Sequence, residues 1–245
     1  MIRLCVLLPA YNEDRVIAQV VADVQRVAID GVALQTLVVS DGSTDNTVAQ
    51  AEAAGATVVS HPVNLGVGAA FRTGIAWARE QGFDALVHMD SDGQLLPSEI
   101  PSLWAPIARG AADLVVGSRF LCERPGGLDR WKALSLTTAA RTVGLLTGAP
   151  ITDLSCGFRC MTRKIMDVVH PTFNYDYIQE TLLQAIAAGA RIVEVPVTAL
   201  YGESFHQAGL SARPFQYGRR FLWLTGWSLG TFYAKRAHDL FRPTQ

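Results

Sequence analysis

The hydrophobic positions in the first half of the chain form short apolar runs separated by amphipathic stretches. Because both faces of a strand in a parallel sheet are buried, continuous apolar runs predict strands. Between these runs, apolar residues recur at the spacing of a helix with one buried face. The predicted strands cover residues 4–8, 37–39, 56–60, 86–89 and 114–116. The predicted helices start near residue 14, cover residues 47–54 and 68–81, and resume at residue 98.

This alternation predicts an α/β fold, a largely parallel sheet with helices on both faces. After residue 120 it weakens. The later predicted elements are helices at residues 134–146, 163–169 and 179–188 and a strand at residues 192–197. No linker rich in Gly, Ser or Pro divides the chain. We therefore expect one domain over residues 1–210, followed by a C-terminal amphipathic helix in a tail of residues 211–245.

Polar residues follow the predicted strands where each strand ends. Ligands of open α/β sheets bind outside the carboxyl ends of the strands. Asp90 and Asp92 stand one residue apart after the strand at residues 86–89. Carboxylate oxygens of this kind suit Mg²⁺ or Mn²⁺, which bridge to substrate phosphates. The alternative is a loop in which the two aspartates only cap the next helix. The other polar residues at strand ends are Tyr11, Asn12, Glu13, Asp41 and Arg119.

The composition narrows the possible functions. The chain has 245 residues, of which 49% are hydrophobic and 18% charged, so it can bury a sizeable core. Its net charge is −1. A general nucleic-acid binder needs a basic surface, so no nucleic-acid partner is expected.

No apolar run reaches the roughly 18 residues that a membrane-spanning helix needs. The longest, residues 221–234, has 14 residues between Arg220 and Lys235, with Trp223 and Trp227 one helical turn apart. Such a segment can lie in the headgroup layer of an anionic membrane, or it can dock on the core or in a dimer. The N-terminus lacks a signal-peptide layout. The expected location is cytoplasmic, peripheral on the cytoplasmic face of a membrane.

Five motifs occur in a fixed order along the chain. They are Pro9-Ala10-Tyr11-Asn12-Glu13, Asp41-Gly42-Ser43-Thr44-Asp45-Asn46-Thr47, Asp90-Ser91-Asp92-Gly93-Gln94, Gly117-Ser118-Arg119 and Asp153-Leu154-Ser155-Cys156-Gly157-Phe158-Arg159. The first three resemble the family 2 glycosyltransferases, which have the GT-A (Rossmann-like) fold. The last two narrow the resemblance to the dolichol-phosphate mannosyltransferase-like, or polyprenyl-phosphate glycosyltransferase, branch.

The resemblance implies a set of donor-binding residues. The residues that it assigns to the nucleotide sugar are Pro9, Tyr11, Glu13, Asp41, Gly66, Asp90 and Gln94. It assigns the metal ion, Mg²⁺ or Mn²⁺, to Asp90 and Asp92, with Gln94 in the metal or phosphate shell. The glycines of the loop at residues 61–68 either contact the ligand or ease a strand-to-helix turn.

On the acceptor side the resemblance implies an Arg and a Ser four residues later that hold a lipid phosphate. Ser135 matches the serine, but the position four before it is Trp131, which leaves Arg130 or Lys132 as the cation. Arg119 would add positive charge near the phosphates of donor and acceptor, or it could pair with Asp113 at the surface. Asp153 would lie beside the acceptor pocket, or it could buttress its own loop.

The function implied is metal-dependent, inverting transfer of a sugar from GDP-mannose or a UDP-hexose to a dolichyl or undecaprenyl phosphate. The residues given a catalytic role are Asp90, Asp92, Arg119 and Asp153. A phosphate acceptor is already ionised at neutral pH, whereas a hydroxyl acceptor would need a base, for which Asp153 is the nearest candidate. The alternatives are a transferase acting on a soluble or protein hydroxyl, a nucleotidyltransferase, and a non-catalytic nucleotide-sugar-binding module. The expected partners are a nucleotide-sugar donor, a polyprenyl-phosphate lipid and a membrane surface.

Overall fold

The computed structural model describes residues 1–121 and 130–200, and for residues 130–133 and 135 the backbone alone. The described strands are β1 (Ile2–Ala10), β2 (Val32–Ser40), β3 (Thr57–Ser60), β4 (Ala85–His88), β5 (Leu114–Ser118), β6 (Arg159–Thr162) and β7 (Ile192–Pro196). The described α-helices are α1 (Ile17–Gln25), α2 (Thr47–Ala53), α3 (Val67–Glu80), α4 (Ile100–Ala108), α5 (Arg130–Thr147), α6 (Arg163–Val168) and α7 (Tyr177–Ala187). A 3-10 turn at Pro97–Glu99 precedes α4.

The described strands form one seven-stranded sheet in the order β3-β2-β1-β4-β6-β5-β7. The pairs β3–β2, β2–β1, β1–β4 and β5–β7 are parallel, and β6 runs antiparallel to both β4 and β5. The predicted sheet with helices on both faces is confirmed. Since β1 pairs with β2 on one side and β4 on the other, the strand order reverses at β1, which is where such sheets bind ligands.

Alternate residues of β1 face the two layers of helices. Leu4, Val6 and Leu8 lie in a buried core with residues of α1 and α4. Cys5 and Leu7 lie in the opposite core with residues of α3, α5, α6 and α7. This period of two is the geometry of a strand that is covered on both sides. It explains why the strand reads as one continuous apolar run.

Each predicted strand and helix of the described chain is found, with ends shifted by up to five residues. The sequence pattern does not predict β6, which is four residues long and begins at a charged residue, Arg159. The predicted boundary at residue 210 and the C-terminal helix lie outside the described residues. In the part that the structure describes, none of the helices is long and apolar enough to cross a membrane.

Gly74 of α3 is the point of closest approach between that helix and β1. A Cβ built on Gly74 would overlap the side chain of Leu7, which has no exposed surface. Gly74→Ala is therefore expected to lower the free energy of unfolding by about 1–3 kcal/mol through overpacking. At an unhindered helical position the same change would raise it, because Ala has the higher helix propensity.

Urea denaturation of the wild type and the Gly74→Ala variant measures this effect. The double variant Gly74→Ala with Leu7→Val is the control, since it removes a methylene group where the new methyl group is added. It should recover part of the loss. A gain in stability for Gly74→Ala alone would contradict the close packing of α3 on β1.

Candidate active site

The two aspartates that follow β4 lie at the carboxyl edge of the sheet, beside the end of β1. Ser91, between them, is buried, and its Oγ donates a hydrogen bond to the Pro9 carbonyl at 2.7 Å. The Asp92 Oδ1 atom accepts the Gln94 N–H at 2.9 Å, which closes the turn. This turn holds Asp90 and Asp92 against β1, and both are half-buried.

A polar cavity of about 40 Å³ opens beside Asp90. It brings together three predicted site residues, Asp90, Gln94 and Arg119, although Arg119 follows a different strand. The remaining lining residues are Leu95, Ser155, Cys156, Gly157 and Ala199. Residues 155–157 of the loop at residues 153–159 thus line the cavity together with the turn that follows β4.

The carboxylates around this edge of the sheet repel one another. Burial and the charge of Asp90 raise the pKa of Asp92 to about 6. Burial, Asp92 and Asp45 raise the pKa of Glu13 to about 7. Burial also raises the pKa of Asp90, against the opposing charges of Arg119 and Arg159. A cation placed among these groups would relieve both the repulsion and the cost of burying them.

The donor set fits a divalent ion that takes some of its ligands from a substrate. Among residues 1–121 and 130–200, no three His, Cys, Asp or Glu side chains converge on one point. Asp90 and Asp92 therefore offer an incomplete set of hard oxygen ligands. This is the arrangement expected for Mg²⁺ or Mn²⁺, which are commonly held by one or two carboxylates together with substrate phosphates and water.

Arg119 and Asp153 form a bidentate ion pair. Arg119 Nε donates to Asp153 Oδ2 at 2.7 Å, and Arg119 Nη2 donates to Asp153 Oδ1 at 2.9 Å. Arg119 Nη2 also donates to Ser155 Oγ at 2.7 Å. The alternative that Arg119 pairs with Asp113 is wrong, because Asp113 accepts hydrogen bonds from Arg191 instead.

Asp153 is fully buried and its two oxygens are occupied. Besides Arg119, its Oδ1 atom accepts the N–H groups of Ser155 and Cys156 at 3.0 and 3.2 Å. Burial alone would raise its pKa, but the hydrogen bonds and charge of Arg119 outweigh it, and the pKa of Asp153 is lowered. A carboxylate held in this way is a poor proton acceptor. The interpretation of Asp153 as the base for a hydroxyl acceptor does not fit this geometry.

Asp41, at the end of β2, organises the loop that precedes α3. Its Oδ1 atom lies 2.8 Å from His61 Nδ1 and accepts the Leu65 N–H at 2.9 Å. Its Oδ2 atom accepts the Gly66 N–H at 2.7 Å. His61 Nε2 lies 2.9 Å from Thr73 Oγ1, which ties the loop to α3 as well. A contact between Asp41 and the nucleoside stays a prediction.

The glycines of this loop allow residues 173 and 174 to pack closely against it. The Gly68 N–H donates to the Asn174 carbonyl at 3.1 Å, and Asn174 Nδ2 donates to the Leu65 carbonyl at 2.9 Å. A Cβ on Gly66 would lie 2.6 Å from Asn174 Nδ2, and one on Gly68 would overlap the Phe173 carbonyl. The structure favours the alternative in which these glycines ease the turn. Their N–H groups are used within the protein, so binding of the nucleotide sugar by Gly66 stays a prediction.

The loops after β1 and β2 are linked by hydrogen bonds. Asn12 has a positive φ of 55°. Its N–H donates to Ser43 Oγ at 3.1 Å and its Oδ1 accepts the Thr44 N–H at 2.9 Å. The Glu13 N–H donates to Thr47 Oγ1 at 2.7 Å. Tyr11 is left 47% exposed at this edge, where a ring can stack on a ligand.

A match between a protein-family model and most of the chain identifies the family. The glycosyl transferase family 2 model matches residues 5–170, which is more than half of the 245 residues. The chain belongs to glycosyl transferase family 2. It is a glycosyltransferase, and the predicted resemblance is confirmed.

Three proteins illustrate what this family 2 glycosyltransferase is similar to. Polyprenol monophosphomannose synthase of Mycolicibacterium smegmatis is 32% identical over 210 residues, covering 80% of this chain and 77% of the relative. Undecaprenyl-phosphate mannosyltransferase of Micrococcus luteus is 27% identical over 228 residues, covering 85% and 89%. Glucosyl-3-phosphoglycerate synthase from Mycobacterium tuberculosis, solved with Mn²⁺, UDP-glucose and phosphoglyceric acid, superposes with a TM-score of 0.71 at 22% identity, covering 93% and 79%. The last likeness shows the shared fold.

The sequence pattern does not predict two polar residues that contact the loops around the cavity. His88 in β4 is fully buried; its Nδ1 lies 2.5 Å from the Gly157 carbonyl and its Nε2 3.2 Å from Tyr177 Oη. Burial lowers the pKa of His88 to about 4, so the ring is neutral. Glu194 in β7 accepts hydrogen bonds from the backbone of Thr152 and Asp153. The signal for both is a polar residue inside an apolar strand.

Apart from Arg119, the residues predicted to hold the acceptor phosphate lie in the first turns of α5. The helix begins at Arg130, so Arg130, Lys132 and Ser135 belong to one element. Their side chains lie outside the description. Their role in phosphate binding stays a prediction.

Proposed function

We propose that this family 2 glycosyltransferase moves a sugar from a nucleoside diphosphate donor to a polyprenyl phosphate, with inversion and with a divalent ion. The observation that carries the proposal is the locked Arg119–Asp153 pair. Asp153 is the carboxylate that a hydroxyl acceptor would need as its base, and its ion pair with Arg119 keeps it ionised and occupied. A hydroxyl acceptor would need a base. A phosphate acceptor, with a second pKa near about 6, supplies an ionised oxygen without one.

The relatives support the same class of acceptor. Polyprenol monophosphomannose synthase and undecaprenyl-phosphate mannosyltransferase both name a polyprenyl carrier, and a third relative, from Methanococcus voltae, is named UDP-N-acetylglucosamine–dolichyl-phosphate N-acetylglucosaminyltransferase. That third protein is 30% identical over 223 residues, covering 80% of this chain and 85% of its own. These names agree on a phosphorylated polyprenyl or dolichyl lipid and differ in the sugar, which is mannose in two of them and N-acetylglucosamine in the third.

In this proposal, the site residues that the structure describes either bind the substrates or neutralise their charge. Asp90 and Asp92, with Gln94 beside them, would hold Mg²⁺ or Mn²⁺. The ion would supply charge neutralisation for the donor diphosphate as the sugar–phosphate bond breaks. Arg119 would orient the phosphates at the cavity with a guanidinium that Asp153 and Ser155 hold still. Tyr11, Glu13 and Asp41 would line the nucleoside.

A lipid acceptor also requires access from a membrane surface. Leu134 and Leu145 of α5 are 56% and 87% exposed, and Leu121, two residues after Arg119, is 43% exposed. These apolar side chains support peripheral binding of this helix to a membrane surface, which we propose is the cytoplasmic face. The tail at residues 211–245 is proposed as a second contact on the basis of its sequence.

A donor and acceptor screen tests the proposed function. Purified protein with Mg²⁺ or Mn²⁺ is given labelled GDP-mannose, UDP-glucose or UDP-N-acetylglucosamine, together with undecaprenyl or dolichyl phosphate in detergent. We expect transfer from one of these donors to the lipid phosphate, loss of transfer in EDTA, and none to the matched polyprenol that lacks phosphate. Transfer to the polyprenol at an equal rate, or no transfer with any donor, would contradict the proposal.

A further inference from the structure

Glu194 of β7 holds the backbone on one side of the Arg119–Asp153 pair. The Thr152 N–H lies 2.8 Å from both Glu194 carboxylate oxygens, and Thr152 Oγ1 donates to Glu194 Oε2 at 2.7 Å. The Asp153 N–H donates to Glu194 Oε1 at 3.1 Å. One carboxylate thus binds two successive residues of the loop that carries Asp153.

The same carboxylate is connected to the residues on either side of Arg119. Thr152 Oγ1 lies 2.6 Å from Ser118 Oγ, and Ser118 Oγ accepts the Phe120 N–H at 3.2 Å. Because Thr152 gives its one hydroxyl proton to Glu194, Ser118 must donate to Thr152. The chain of donors therefore runs from Phe120 through Ser118 and Thr152 and ends on Glu194.

These contacts give the Arg119–Asp153 pair two fixed supports. Ser118 and Phe120 flank Arg119, while Thr152 precedes Asp153, and Glu194 is the terminal acceptor for both. β7 supplies this acceptor at a set position because Glu194 lies opposite Val116 in its parallel pairing with β5. The arrangement fixes the side chain of Arg119 relative to Asp90 across the cavity, which is where a reacting phosphate would bind.

We propose that Glu194 is a positioning residue for sugar transfer, acting through the Arg119–Asp153 pair. This inference rests on the proposed function only for its kinetic test. Arg119 stabilises charge only where its guanidinium is correctly placed, and displacement of such a group by about 1 Å can cost on the order of a hundredfold in rate. Loss of the Glu194 acceptor releases Thr152 and Asp153 together and loosens Arg119.

The kinetic test compares Glu194→Gln, Thr152→Val and Thr152→Ser. Glu194→Gln replaces one acceptor oxygen with a donor group, and Thr152→Val removes the hydroxyl link to Ser118. Each should lower kcat per folded molecule on the order of tenfold or more with little change in the KM of the donor. Thr152→Ser keeps the hydroxyl and should stay near the wild type. Asp84→Asn, which alters a carboxylate that accepts the Arg3 N–H at the opposite edge of the sheet, is the control.

A double-variant comparison separates positioning from a general loss of structure. Arg119→Lys keeps the charge but cannot form the bidentate contact with Asp153. If Glu194 acts through Arg119, Glu194→Gln should lower the rate much less in this background than in the wild type. An undiminished loss there, or a loss explained wholly by the unfolded fraction, would overturn the inference.

An NMR measurement gives an answer that does not depend on the acceptor. The Nε–H resonance of Arg119 reports its hydrogen bond to Asp153 Oδ2. In Glu194→Gln it should broaden or move toward the position of a free arginine, while Asp84→Asn should leave it unchanged. An unchanged resonance in Glu194→Gln would refute the positioning role. Absence of transfer by the wild type to every polyprenyl phosphate would refute the proposed function and leave this NMR result to decide the role of Glu194.

Discussion

Asp92→Asn is expected to lower sugar transfer by about a thousandfold or more while the protein stays folded. A bound divalent ion contributes several kcal/mol of charge stabilisation to such a reaction, and each 1.4 kcal/mol is about tenfold in rate. The Asn side chain keeps an Oδ1 atom that can accept the Gln94 N–H, so the turn is preserved. The change also removes a charge that raises the pKa of Glu13. The fold is therefore expected to be as stable as before.

Three measurements check this expectation. Transfer is assayed at saturating donor with Mg²⁺ or Mn²⁺, ion binding is followed by titration of Mn²⁺ in the presence of a nucleoside diphosphate, and unfolding is followed by circular dichroism. Asp30→Asn, which removes one negative charge at an exposed turn, is the control and should behave as wild type. Near-normal transfer by Asp92→Asn with the ion supplied would remove Asp92 from the metal site.

The clustering of Asp90, Gln94 and Arg119 could be predicted because it follows from topology. Parallel strands end at the same edge of a sheet, so residues after β4 and β5 meet there although Arg119 is 29 positions after Asp90 in the chain. The strand that lies between them, β6, could not be predicted. It is short, and Arg159 at its start is buried because its guanidinium donates to the carbonyls of Leu154 and Ile178.

The hydrogen-bonding partners of the charged residues also could not be predicted from the sequence. Asp113 is near Arg119 in the chain and is the natural local choice, yet Arg119 pairs with Asp153, 34 positions away. Glu194 binds Thr152 across 42 positions. Periodicity reports which face a residue occupies but not which distant loop is brought against it. Such long-range polar contacts must be found in the folded structure.

Gly157 is the second position at which a single change should have a large effect. It lies in the loop wall of the cavity, directly against Asp90. A Cβ on Gly157 would lie 2.8 and 2.9 Å from the two Asp90 carboxylate oxygens, closer than nonbonded carbon and oxygen atoms approach. The Gly157 carbonyl is held by His88, so the loop cannot easily retreat. Asp90 would have to move instead.

Gly157→Ala should therefore lower transfer on the order of a hundredfold, because a carboxylate displaced by about 1 Å would no longer meet the divalent ion that we propose it holds. The weakened step is ion binding, so the apparent affinity for Mn²⁺ should fall and high Mn²⁺ should recover part of the rate. Gly189→Ala adds the same methyl group after α7, where nothing lies within 4 Å. It should lose some stability, since Gly189 has a positive φ of 75°, but keep its rate per folded molecule. If the rate of Gly157→Ala fell without any change in Mn²⁺ dependence, the loop rather than Asp90 would be what the new methyl group displaces.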